Sequence, residues 1–163
     1  VEEGGWTPVS ASPLAYHGML EPHELTVAEI AELVDSFASA ARRSVADHYD
    51  NFFSKIEGIT VPVRDKYSTH VFHQYTLLLQ GVDRAAFQAA LQERGVPTMV
   101  YYPVPLHLQK AYARPEYPVG TFPVAEHLAQ NVVSLPIHTE MEADEIQYII
   151  HTVHQTLSQI SFA

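Results

Sequence analysis

Ten histidines and no cysteine set the chemistry open to this sequence of 163 residues. The missing thiols exclude disulfide frameworks, thiolate zinc sites and cysteine nucleophiles together. Imidazole remains, as a metal ligand or as a proton carrier near neutral pH. His151 and His154 stand three apart in a helical stretch, so their rings share a face and can reach one ion. No third ligand accompanies them, and the plainer reading is a pair of surface histidines on an amphipathic helix. A metal site there stays open only as an alternative. His70 and His73 are also three apart, but on an extended strand that spacing sends them to opposite faces.

The segment Tyr101-Tyr102-Pro103-Val104-Pro105-Leu106-His107 differs in kind. Two prolines fix the backbone just after an expected strand. They hold two phenol hydroxyls and one imidazole on a stiff loop at a sheet edge, where ligands often sit. The alternative is a proline-rich corner packed by its own aromatic rings. Ser134, His138 and Asp144 can be assembled on paper into a nucleophilic triad, but no strand-turn-helix elbow presents the serine. Glycine-rich phosphate loops are absent. The lysines are Lys55, Lys66 and Lys110, each in a polar or loop setting that offers no apolar pocket to lower an amine's pKa. Schiff-base chemistry from these amines alone is not expected, and no catalytic residue is assigned.

Nineteen acidic residues against nine basic ones leave a net charge of −10, which repels nucleic acid and anionic lipid headgroups. No apolar run approaches the roughly 18 residues that cross a bilayer. The start, Val1-Glu2-Glu3-Gly4-Gly5, lacks a basic region followed by an apolar stretch. A cytoplasmic protein with neither nucleic-acid nor membrane partners is the expectation. With 47% apolar and 17% charged residues, the chain is suited to one globular core.

The elements that must position these groups follow from periodicity. Residues 1–25 mix Gly, Pro and Ser with Trp6, Leu14 and Tyr16 and read as an irregular segment. Thr26 to Glu29 forms a capping box, so a helix starts there. Apolar residues from Val27 through Val34, Val45 and Phe52 to Ile56 recur at steps of three or four, predicting one long amphipathic helix over 26–57. A break is open near Asp47-His48, and Gly58 suits the left-handed terminus. The remainder, 58–163, alternates strand and helix. It has an edge strand at Ile59-Thr60-Val61, a strand from His70 to Leu79, and a helix capped by Asp83, carrying Phe87 and Leu91 inward and ended by Gly95. A strand from Pro97 to Tyr102 and a short helical turn near Leu108 to Tyr112 follow. A helix from Pro123, a strand at Val133 to Leu135 and a last helix from Glu142 to Gln159 complete it. The fold class is α/β (α+β), a small and mostly antiparallel sheet with packed helices.

Residues 38–156 resemble the C-terminal small domain of DegT/StrS-type sugar-nucleotide aminotransferases. The likeness rests on Ala41-Arg42-Arg43-Ser44-Val45, His70-Val71-Phe72-His73-Gln74-Tyr75-Thr76, and Gly95-Val96-Pro97-Thr98. It continues in Tyr102-Pro103-Val104-Pro105-Leu106-His107-Leu108-Gln109, Phe122-Pro123-Val124-Ala125-Glu126 and Ser134-Leu135-Pro136-Ile137-His138, in that order. The resemblance implies the small domain of an aspartate-aminotransferase fold, homodimers, and transfer of an amino group from glutamate to a keto-sugar nucleotide. It also implies pyridoxal phosphate held by a lysine of a separate large domain, with no cofactor bound by this chain alone. Tyr102 and His107 match the positions that lie near substrate in the family. With Gly4-Gly5-Trp6-Thr7-Pro8-Val9-Ser10-Ala11-Ser12-Pro13, Pro22-His23-Glu24-Leu25-Thr26 and Glu29-Ile30-Ala31-Glu32-Leu33-Val34-Asp35-Ser36-Phe37, residues 1–46 resemble one loop and one outer helix of Old Yellow Enzyme-type flavin oxidoreductases. The two likenesses meet at Ala40 to Ala46, which implies a chimera spliced near 40–46. The alternative reading is a non-catalytic association module that pairs with itself through exposed apolar surface.

Overall fold

The computed structural model describes residues 9–10 and 23–160, in two units, 1–40 and 41–163. In the first, two short strands, β1 (Val9–Ser10) and β2 (His23–Glu24), pair in parallel. The rest of the expected irregular segment, with Trp6, Leu14 and Tyr16, lies outside the described residues. Helix α1 (Val27–Phe53) starts at the expected capping box. The Glu29 N–H donates to the Thr26 hydroxyl at 3.2 Å, and the Glu29 carboxylate accepts from the Thr26 N–H and hydroxyl at 2.8 Å each. Those donors, the Thr26 backbone first and His23 after them, hold the Glu29 carboxyl at about 2 against an ordinary 4.5.

α1 continues through Asp47 and His48 without interruption and stops at Phe53, short of the expected end at Glu57. The reason lies in the next strand. Tight turns, with the Ile56 N–H on Phe53 O at 3.1 Å, swing the chain round so that Gly58 O can accept from the Gln80 N–H at 2.8 Å. Gly58 takes the left-handed conformation, φ 79°, as expected of it.

Three strands form an antiparallel sheet in the order β3 (Ile59–Thr60), β4 (Tyr75–Leu79), β5 (Val132–Leu135). Leu79 pairs with Ile59, and Tyr75 and Leu77 pair with Leu135 and Val133. Two expected strands are corrected. The stretch from His70 becomes a strand only at Tyr75, because Phe72 turns left-handed at φ 47°. Its N–H donates to the His70 Nδ1 at 2.9 Å, and its ring is buried, while Val71 and His73 are exposed. Pro97 to Tyr102 contributes a single bridge, Met99 to Ser134, rather than a strand. Pro97 and Pro103 bracket it and can donate nothing to a ladder.

Helices α2 (Arg84–Glu93), α3 (Pro123–Asn131) and α4 (Ala143–Gln159) match the expected positions closely. Asp83 caps α2 by accepting from the Ala85 and Ala86 N–H groups. The core joins Tyr49 and Phe53 of α1, alternate residues Tyr75, Leu77 and Leu79 of β4, Phe87 and Leu91 of α2, and the Ile146–Leu157 face of α4. A polar clasp borders it. The Tyr75 hydroxyl donates to Asp50 at 2.6 Å, and Arg64 bridges Asp50 at 2.6 Å and Asp47 at 2.7 Å. Burial, then the Asp50 acceptor, pushes the Tyr75 phenol well up. Among the described residues no helix is long and apolar enough to cross a membrane.

Candidate functional site

Between the Met99 bridge and α3 the chain runs through the proline-rich segment singled out above. Pro105 precedes a single 3₁₀ turn, Leu106–Leu108, and Pro123 opens α3 at its first helical position. The Gln109 side chain ties back to Val104 O at 3.1 Å. Facing this segment, Ala125, Leu128, Ala129 and Val132 share one side of α3 and its exit. Sequence periodicity groups those four as an apolar face, and the structure turns that face to an open cleft of about 620 Å³. Tyr101, Tyr102, Leu106 and Tyr112 form the opposite wall.

Tyr102 is 73% exposed, with its ring at the cleft. His107 goes elsewhere. It lines a neighbouring hollow of about 550 Å³ with Arg114, Tyr117 and Phe122, and its side chain is only 9% exposed. Its ring meets Phe122 edge-on at 4.8 Å, and its Nε2 lies 3.0 Å from the Glu126 carboxylate. A carboxylate can only accept, so in this contact Nε2 carries a proton and donates it. The two tyrosines and the histidine thus sit on one stiff loop but in adjacent hollows. The packed aromatic corner exists as well, on the His107 side.

Glu126 received no role from the sequence. Its side chain is buried, and its carboxylate accepts from the Gly120 N–H at 2.9 Å on both oxygens and from the Phe122 N–H at 3.2 Å. The Gly120 backbone, then Phe122 and His107, hold its carboxyl below the ordinary carboxylate range against the opposing effect of burial. The signal available was an acidic residue in the first turn of a helix opened by proline, with a glycine a few residues before it.

The other candidates separate. The Ser134 hydroxyl is buried against the Thr76 hydroxyl at 2.8 Å, and His138 stands exposed 3.9 Å from Glu145, so no triad forms. His151 and His154 are both exposed, and no group of three metal-ligating side chains occurs among the described residues. His73, Gln74 and His138 line a third hollow of about 300 Å³.

Residues 28–154 match the model of the DegT/DnrJ/EryC1/StrS aminotransferase family. The chain belongs to that family. The UDP-N-acetyl-3-dehydro-alpha-D-glucosamine 3-aminotransferase of Acidithiobacillus ferrooxidans is 31% identical over 94% of this chain and 40% of its own. The erythromycin biosynthesis sensory transduction protein EryC1 of Saccharopolyspora erythraea is 36% identical over 71% of this chain and 31% of its own. Streptomyces venezuelae DesV, solved with a ketimine intermediate, superposes with a TM-score of 0.72 at 27% identity, over 88% of this chain and 40% of that one. The chain spans about a third of the length of the curated relatives it matches. The fold is that of these aminotransferases.

The flavin-enzyme resemblance of residues 1–46 finds no support. The family match already begins at residue 28, and the A. ferrooxidans relative aligns across nearly the whole chain, leaving little room for a splice near 40–46.

Pyridoxal phosphate, which the family implies, needs a lysine amine to hold it as an imine. Lys55, Lys66 and Lys110 are all exposed, and none lines a hollow described above. The amines of this chain do not fit the cofactor.

Proposed function

We propose that this chain is the small-domain part of a sugar-nucleotide aminotransferase and supplies the substrate-side wall of its site. The observation that carries the reading is the cleft of Tyr101, Tyr102 and Leu106 against α3, within a chain that the family model matches from 28 to 154. Cofactor and catalytic lysine come from a large domain not represented in these residues. Alone, the chain does not transfer amino groups; assembled as a homodimer with that domain, it moves one from glutamate to a keto-sugar nucleotide in the cytoplasm. Tyr102, exposed at the cleft, contacts the substrate through its hydroxyl. His107 contacts it from the adjacent hollow, in the orientation that Glu126 imposes.

Grafting tests this. Residues 41–163, put in place of the corresponding part of S. venezuelae DesV, are expected to leave a transaminase. In that hybrid Tyr102→Phe lowers kcat/KM about tenfold, the worth of one hydrogen bond at a reacting substrate. An inactive but folded hybrid, or a Tyr102→Phe hybrid with unchanged kinetics, counts against the reading.

A second reading has its own support. Met99, Tyr102, Leu106, Tyr112, Val119 and Val124 are each more than half exposed and fall in one stretch of chain, an apolar surface suited to self-association. Light scattering that finds a monomer at every concentration removes that reading.

A further inference from the structure

Between Gln109 and Thr121 the chain has neither helix nor strand, and residues 111–121 are all exposed. Its backbone hydrogen bonds are local. Tyr112 and Ala113 donate to Gln109 O, Tyr117 to Arg114 O and Thr121 to Pro118 O. Bonds of this kind shape turns but do not fix where the turns sit. Yet this loop supplies Tyr112 to one hollow and Arg114 and Tyr117 to the other.

We propose that Glu126 is a positioning residue, whose carboxylate fastens this loop to α3 and to the 3₁₀ turn and so preforms the walls of both hollows. Three groups from two pieces of chain converge on it: the Gly120 and Phe122 N–H groups from the end of the loop where it enters α3, and the His107 ring from the 3₁₀ turn. Gly120 reaches it with φ 91°, a conformation that only glycine adopts without strain. Phe122, the N-cap of α3, offers no side-chain bond, so Glu126 takes over part of the capping from within the helix, at the positive end of its dipole. A buried carboxylate is costly unless satisfied, and here every donor is aimed at it. Glu126 lies outside the apolar core cluster, so its removal frees the loop while leaving the sheet and its helices in place. The inference concerns the order of the loop and holds whichever ligand the hollows take.

Amide exchange and limited trypsinolysis on the full chain test it. The Gly120 N–H donates to the two Glu126 carboxylate oxygens and, among the described residues, to no other acceptor, so its exchange reports on this bond. Lys110 precedes Ala111 and is the tryptic site in the loop, since Arg114 precedes Pro115. Glu126→Ala is expected to speed exchange at Gly120 and Phe122, and cleavage at Lys110, about tenfold or more. Glu126→Gln, which keeps the shape and one acceptor oxygen but loses the charge, falls between. In both variants the β4 amides lose far less protection than the loop amides, and the melting midpoint falls only by the few degrees that a lost helix cap costs. Unchanged loop exchange and cleavage in both variants overturn the proposal. So does a fall in β4 protection and melting that keeps step with the loop, because Glu126 is then only a part of the fold.

Discussion

Leu77→Ala is expected to cost the domain about 3 kcal/mol, read as a lower urea midpoint with an unchanged slope. Leu77 has no exposed surface, sits at the middle of the central strand and pairs with Val133. β5 pairs with Leu77 itself and β3 with the next two residues, Leu78 and Leu79, so the backbone is held, the site cannot collapse around the missing methyls and a cavity remains. Domains of this size are stable by only about 5–15 kcal/mol, so the loss is a large share of the total. Val119→Ala is the matching control. Its side chain is 76% exposed, and the change is expected to move stability by less than about 0.5 kcal/mol. Equal effects from the two substitutions would mean that β4 is not the centre of the core.

Asp50→Ala is expected to cost about 2 to 4 kcal/mol, because two donors lose their acceptor at once. The Tyr75 hydroxyl, held at 2.6 Å on a fully buried residue, is left without a partner, and Arg64 retains only Asp47. The unsatisfied hydroxyl dominates, and that has a consequence in combination. Tyr75→Phe removes the stranded group, so on the Asp50→Ala background it is expected to restore about 1 kcal/mol, although alone it destabilises. A double-mutant cycle measured by urea unfolding reads this directly. Simple additivity of the two substitutions would show that the clasp is only a surface contact.

These two sites also show which parts of the structure the sequence displays. Period-2 burial at Tyr75, Leu77 and Leu79, the Thr26–Glu29 capping box, the Asp83 cap and the α4 stripe are local patterns, and each appears where periodicity places it. The misplaced boundaries have long-range causes. The strand from His70 is cut short because Phe72 turns into the core, where its ring lies under the Arg64 guanidinium at 4.7 Å. α1 ends early because the chain must turn to lay Ile59 beside Leu79.

The candidate site divides in the same way. The stiff loop of Tyr101 to His107 is legible because prolines act locally. That Tyr102 faces an open cleft while His107 is tied inward is not, because the tie comes from Glu126, nineteen residues along the chain. A lone glutamate on a short helix has an ordinary surface face as its default. Only the convergence of Gly120, Phe122 and His107 in space distinguishes it.

The proposed function divides the labour: this chain would shape the site, and an amine from elsewhere would hold the cofactor. The most direct measurement is borohydride reduction of the purified chain after incubation with pyridoxal phosphate, followed by peptide mapping. The expected result is weak, scattered labelling shared among the exposed Lys55, Lys66 and Lys110, as for any surface amine. One lysine labelled to full stoichiometry while the other two stay free would contradict it.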